Sequence, residues 1–235
     1  EMIDTHAHIF TKNFQEDIDE VIIRAKENGV QHIIMPNINN ETIRALDETE
    51  KRYPNFCSAT IGLHPTHVDE NYLQDLQTIE KQLQKREYIG IGEIGIDLYW
   101  EQAFLKEQTW VFQQQIEWAI ELDLPIIIHM RNSFQEVTKI VKQYKNLTGI
   151  FHSFSGTQKE AEEILSLGNF KLGINGIVTF KNSSLSEVLN HIDIHHLVLE
   201  TDAPYLAPTP HRGKRNEPAY LVFILKKLTE IYQKE

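Results

Sequence analysis

One cysteine in 235 residues, Cys57, is too few for an intramolecular disulfide or for any CxxC zinc or redox motif. It sits in a strand-like run and reads as a small buried hydrophobe. No apolar run approaches the ~18 residues of a membrane-spanning helix. The N-terminus lacks a basic segment followed by an apolar one, so no secretory signal is expected. Met2 reads as the natural start and Glu1 as an added residue. These absences point to a reducing, cytoplasmic compartment and no membrane contact. Positive charge is also scarce. The net charge of −11 argues against a broad nucleic-acid-binding face. Only Tyr205–Glu235, with six Lys/Arg against three Asp/Glu, offers a local basic lip. No linker, low-complexity tract or charge block interrupts the chain, so residues 1–235 are expected to form one domain. Neither GxGxxG nor GxxxxGK[ST] follows any strand, which counts against a nucleotide-binding doubly wound sheet.

What is present is an alternation of short β-branched runs with longer amphipathic ones. Strands are expected at Met2–His8, His32–Pro36, Cys57–Leu63, Ile89–Glu93, Pro125–His129, Gly149–His152, Lys171–Ile174 and His196–Glu200. Helical patterns lie between them at Phe14–Asn28, Glu41–Tyr53, Leu73–Arg86, Phe104–Leu122, Phe134–Tyr144, Lys159–Leu167, Leu185–Asn190 and Pro218–Lys234. Strands such as Pro125-Ile-Ile-Ile-His129 are apolar nearly throughout, which suits strands covered on both faces. The expected fold class is therefore α/β, a closed parallel (β/α)8 TIM barrel.

The ionisable residues cluster at one end of these strands. His6 and His8 close the first and, being two apart, share a face. Glu93 closes the fourth, His129 the fifth and His152 the sixth, and Asp202 lies just past the eighth. In a barrel those carboxyl ends form one rim, where active sites are built. Four imidazoles and two carboxylates converging on one point cannot stay bare, and divalent cations resolve their mutual repulsion. Six such groups with a bridging water suffice for two metals, and a carboxylate is the natural bridge. The donor set mixes imidazole, which favours zinc, manganese or iron, with carboxylate, which favours magnesium.

Further groups face the same rim. Arg131, two residues after His129, and Arg212, in the loop after the eighth strand, read as a phosphate clamp. Arg215 and Lys214 read as solvated loop charges. His64 ends the third strand and reads as a substrate or supporting contact. Asp97, Tyr99, Trp100 and Phe154 occupy loops on the metal side, where aromatics either stack on an unpaired base or pack the loop. His32, His191, His195 and His196 fall on the opposite rim.

At these residues the chain resembles the TatD family of metal-dependent deoxyribonucleases, within the amidohydrolase-like barrels. The matching segments run from Ile3-Asp-Thr-His-Ala-His8 through Ile61-Gly-Leu-His-Pro65, Ile91-Gly-Glu-Ile-Gly-Ile-Asp97, Pro125-Ile-Ile-Ile-His129 and His152-Ser-Phe-Ser-Gly156. They continue through Gly176-Ile-Val-Thr-Phe180 and Glu200-Thr-Asp-Ala-Pro-Tyr-Leu-Ala-Pro208 to Gly213-Lys-Arg-Asn-Glu-Pro218. The resemblance implies that His6 and His8 hold a first metal with Asp202 nearby, that Glu93 bridges, and that His129 and His152 hold a second. It implies hydrolysis of DNA phosphodiesters, often from the 3′ end. It also implies a further helix after Glu235, and Asp97-Leu-Tyr-Trp100 carries an extra aromatic relative to the commoner pattern.

The expected function is a divalent-metal-dependent deoxyribonuclease, an exonuclease on single-stranded ends working through a two-metal-activated water. Two ions (Mg, Mn or Zn) are the cofactor, Asp202 orients and deprotonates the water, and Glu93 holds the metal pair. DNA or a nucleotide is the substrate, and no obligate protein partner is implied. The alternative on the same barrel is a hydrolase of C–N, phosphotriester or aminoacyl ester bonds. Many such barrels bridge their metals with a carboxylated lysine on the fourth strand, and Tyr88-Ile-Gly-Ile-Gly-Glu93 has none. A non-catalytic metal-binding scaffold is the third reading.

Overall fold

The computed structural model describes residues 1–233. Eight parallel strands alternate with eight α-helices in chain order among the described residues. The strands are β1 (Met2–Asp4), β2 (Val30–Pro36), β3 (Cys57–Thr60), β4 (Ile91–Asp97), β5 (Ile126–Arg131), β6 (Thr148–Phe151), β7 (Asn169–Ile174) and β8 (Leu197–Leu199). The helices are α1 (Ile18–Glu27), α2 (Ile43–Arg52), α3 (Tyr72–Lys85), α4 (Leu105–Leu122), α5 (Phe134–Val141), α6 (Gln158–Ser166), α7 (Leu185–Leu189) and α8 (Leu221–Tyr232). Lys234, placed in the last helix by its pattern, and any helix after Glu235 lie outside the described residues.

Regular ladders join β1-β2-β3 and, separately, β4-β5-β6-β7-β8. The two sheets meet at both edges through single bridges rather than ladders. One pairs Ile61 with Ile91, the other Ala7 with Ala203. Side chains complete the pairing that the backbone leaves open there. At the β3/β4 edge the buried Gln115 of α4 accepts from Leu63 N at 2.7 Å and donates to Leu63 O at 3.4 Å. Seven residues earlier on the same helix face, Gln108 accepts from Asp97 N at 2.9 Å and donates to Asp97 O at 3.1 Å. At the β8/β1 edge, Asp4 accepts from His6 N, Thr201 N and Thr201 Oγ1 at 3.1, 3.0 and 2.5 Å. Buried polar groups stay in the core only when paired, and here pairing stitches the edges.

The helices form for ordinary reasons. Thr157 caps α6 with Glu160 in reciprocal hydrogen bonds. On α4, Val111, Phe112, Ile116 and Ala119 recur at helical spacing and are buried among the strand residues Ile91, Ile94 and Ile96. The Val, Phe and Ile side chains contribute about 1.5–3 kcal/mol each by leaving water.

The strand limits differ from expectation where function sits. β1 ends at Asp4, because Thr5 N turns to Leu199 O of β8 and the chain crosses between sheets. His6 and His8 therefore lie just beyond the strand. β4 runs on to Asp97, because its pairing with β5 continues to the Asp97–Arg131 register. Glu93 is thus within β4 rather than at its end, and Asp97 shares its face four residues on.

Candidate metal centre

The six residues expected to converge do meet, and Glu93 is their hub. Its Oε1 lies 3.1 Å from His6 Nε2 and 3.6 Å from His8 Nε2. Its Oε2 lies 3.0 Å from His129 Nδ1, 3.2 Å from His64 Nε2 and 3.6 Å from His152 Nε2. Asp202 faces His8 Nε2 at 3.4 Å, His6 Nε2 at 3.5 Å and His152 Nε2 at 3.7 Å. The His6 and His152 rings stack at 3.5 Å. The cluster forms the floor of a cavity of about 300 Å³, lined also by Trp100, Arg131 and Tyr205.

These spacings can be tested against a cation. Donors bound to one ion at about 2.1 Å lie about 3.0 Å apart in octahedral and about 3.4 Å apart in tetrahedral geometry. His6 Nε2, His8 Nε2 and Glu93 Oε1 are separated by 3.1, 3.1 and 3.6 Å, a set of edges that fits. The nitrogens' tautomers fit as well. His8 Nδ1 donates to Pro36 O at 3.0 Å, which leaves the Nε2 lone pair facing Glu93. His152 Nδ1 donates to Glu200 at 2.9 Å, and His129 Nε2 donates to Asp97 Oδ2 at 2.7 Å. In each case the second nitrogen is free to bind an ion.

His64 is different. Groups of donors close enough for an ion include His64, Glu93 and His129. But His64 Nδ1 accepts the backbone N–H of Thr66 at 3.1 Å, so the proton of the neutral ring is on Nε2. That N–H faces Glu93 Oε2 at 3.2 Å and has no lone pair to offer. Burial pushes the His64 pKa down to about 4, which keeps the ring neutral.

The remaining electrostatics match a cation-binding cluster. Burial would raise the Glu93 pKa, yet His64, His6 and His152 hold it well below the ordinary carboxylate range. Asp202 is likewise kept low against burial, chiefly by His152. Burial opposes protonation of His152, but Glu200, Asp202 and Glu93 outweigh it and hold the ring up at about 10. Burial, helped by His152, lowers His6. Without an ion, protons balance the carboxylates; an ion would replace them.

Residues 3–235 match the family described as "TatD related DNase". The chain belongs to the TatD family. The "Uncharacterized metal-dependent hydrolase YabD" of Bacillus subtilis is 37% identical, covering 98% of this chain and 91% of its own. The "3'-5' ssDNA/RNA exonuclease TatD" of Erwinia tasmaniensis is 30% identical, covering 97% and 90%. The crystal structure of the TatD homologue YjjV from Escherichia coli superposes with a TM-score of 0.91 at 30% identity, covering 98% of this chain and 90% of that one. The chain is therefore a metal-dependent hydrolase of (β/α)8 barrel organisation.

The other residues singled out by type are sorted by the tertiary structure. Arg131 lines the cavity, stacked on Tyr99 at 3.7 Å. Arg212, expected in the phosphate clamp, is not among the cavity-lining residues. It lies over the Phe180 ring at 3.9 Å and donates to Asn182, because its loop folds onto the segment that follows β7. Arg215 makes a two-pronged pair with Asp17. Phe154 is buried packing. Two orienting carboxylates, Asp97 and Glu200, carry no such role in the sequence pattern. The spacing of Asp97, four residues beyond Glu93 on one strand, is the signal that places it on the same face.

Calorimetric titration with Mn²⁺ separates the donors from their supports. His64→Gln is expected to leave the affinity within about threefold. Asp97→Asn, which weakens the hold on His129, is expected to lose about 10- to 100-fold.

Proposed function

We propose that this TatD-family hydrolase cleaves phosphodiester bonds of DNA, acting on unpaired strand ends through two divalent cations held around Glu93. The observation that carries this reading is the division of one carboxylate. Oε1 serves the His6 and His8 side and Oε2 the His129 and His152 side. Cations at both positions would polarise the phosphoryl oxygens and acidify a water between them. The naming of relatives at 30% identity as single-strand exonucleases supports the same substrate.

The protein groups then have defined tasks. Asp202, whose side chain is 12% exposed toward the cavity, orients the attacking water and takes its proton. His8, His129 and His152 keep their lone pairs inward through Pro36 O, Asp97 and Glu200. His64 presents an N–H beside Glu93, in reach of a substrate oxygen. Arg131 supplies a guanidinium at the mouth. Because Glu93 is only 2% exposed, the reacting phosphate must enter the cavity. A single-stranded end can do so, whereas a paired duplex must first fray.

The test is an end-labelled oligonucleotide with Mg²⁺ or Mn²⁺. A ladder shortening from one end of the single strand, slower on a blunt duplex, is the expected result. No shortening with Mg²⁺, Mn²⁺ or Zn²⁺, alongside turnover of small esters, would overturn the reading. Among the described residues no lysine lines the cavity to bridge metals as a carbamate, so the amidohydrolase chemistry finds no support.

A further inference from the structure

Trp100, 71% exposed, lines the cavity over a deeply buried polar centre, and the neighbouring Tyr99 is 51% exposed. Adjacent large aromatics left in water offer a broad flat apolar surface, and these are not loosely placed. Asp97 Oδ1 accepts the Tyr99 backbone N–H at 2.9 Å, while its Oδ2 accepts from His129 Nε2 at 2.7 Å. One carboxylate therefore anchors both the β4–α4 loop and a donor of the candidate metal centre. The two rings meet edge to face at 4.8 Å. Arg131, fixed at the end of β5 opposite Asp97, lays its guanidinium 3.7 Å from the Tyr99 ring and 5.6 Å from that of Trp100. Leu98 N donates to Arg131 O at 2.9 Å and ties the loop to that strand. Trp100 and Arg131 line the same cavity as Glu93 and Asp202, and Tyr205, 55% exposed, lines it too, beside His8.

Charge sharpens the case. Arg131 is the sole lysine or arginine among the described residues lining the cavity, in a chain of net charge −11. A polyanion gains little from so few cations. Affinity beyond what cations around Glu93 would give the reacting phosphate is then available from the strand's bases, whose π-faces stack on aromatics without regard to sequence.

Resting on the nucleic-acid reading above, we propose that Trp100 and Tyr99, backed by Arg131, form a stacking shelf for an unpaired base of the substrate next to the reacting phosphate. The shelf makes the enzyme select strand ends whose bases are free, independent of base identity.

The test compares two single-stranded oligonucleotides that differ only at the terminal nucleotides, one carrying natural bases and one carrying abasic residues. The wild-type protein with Mn²⁺ is expected to favour the base-bearing strand by about 5- to 150-fold, the range for loss of one stacking contact. In Trp100→Ala that preference collapses through a rise in KM for the base-bearing strand with kcat little changed. Trp100→Phe restores part of it. Trp100 is exposed, so its replacement leaves the fold intact, which circular dichroism checks. Equal preference in wild type and Trp100→Ala overturns the shelf while leaving the nuclease reading standing. Concentration-dependent self-association that Trp100→Ala abolishes, with KM unmoved, also overturns it, because a second copy would then cover the rings. Turnover of neither strand overturns the nuclease reading and the shelf with it.

Discussion

Glu93→Gln is expected to lower hydrolytic activity by about 10³-fold or more and to remove the response to divalent cations expected of the wild-type protein. Several kcal/mol of transition-state stabilisation pass through metal ions at such sites, and each 1.36 kcal/mol is a factor of ten. The amide keeps the shape and the volume but loses the negative charge that faces five imidazoles. An amide nitrogen also points a donor at ring nitrogens whose lone pairs are already aimed inward. The measurement has two parts. In the wild-type protein, Mn²⁺ at 100 times its Kd is expected to stabilise the fold by about 2.7 kcal/mol per occupied site, with chelation reversing this. In Glu93→Gln the melting temperature should ignore both Mn²⁺ and chelator. Retained cation-dependent stabilisation in the variant would remove Glu93 from the hub of the centre, and retained activity would assign the measured turnover to a contaminant.

Gly95→Ala is the second large effect, and it acts on the scaffold. Gly95 has φ +152°, and a Cβ built there would lie 1.8 Å from His129 O and 2.8 Å from His129 C. These are backbone atoms of the paired strand and cannot rotate away. β4 and β5 must separate at the Gly95–His129 register, which is where His129 is aimed at Glu93. The cost combines backbone strain with overpacking, at least about 3 kcal/mol together. For a chain of this length that is a fall of about 6–12 °C in Tm. Gly168→Ala is the matched control. Gly168 also has positive φ, +129°, but nothing lies within 4 Å of its added Cβ. Its cost is the strain alone, about 1 kcal/mol. Equal melting temperatures for the two variants would show that the β4–β5 approach is looser than the structure has it.

The centre also shows where local pattern stops being informative. Alternating apolar runs located eight strands, and residue type at their ends located every group around Glu93. Periodicity follows from backbone geometry within one element, so neighbours in the chain suffice to reveal it. Family resemblance assigns His6 and His152 to separate metals, yet their rings stack face to face. By residue type His64 is one more inward imidazole, and only the Thr66 N–H on its Nδ1 turns it into a donor. Arg131 and Arg212 are equivalent as charges near a rim. Strand pairing keeps the first at the cavity, and a loop folding onto Phe180 takes the second away.

By itself, then, the amino-acid order determined the α/β alternation, the barrel class and the gathering of imidazoles and carboxylates at one strand end. Which oxygen of Glu93 meets which nitrogen, which histidines keep a free lone pair, and the use of Gln108, Gln115 and Asp4 to complete the sheet edges were decided only by the tertiary structure. The reason is that a proton on a ring nitrogen, or a hydrogen bond across an edge, is set by an atom that can lie anywhere in the chain. Asp4 and Thr201 are 197 residues apart and share a hydrogen bond of 2.5 Å.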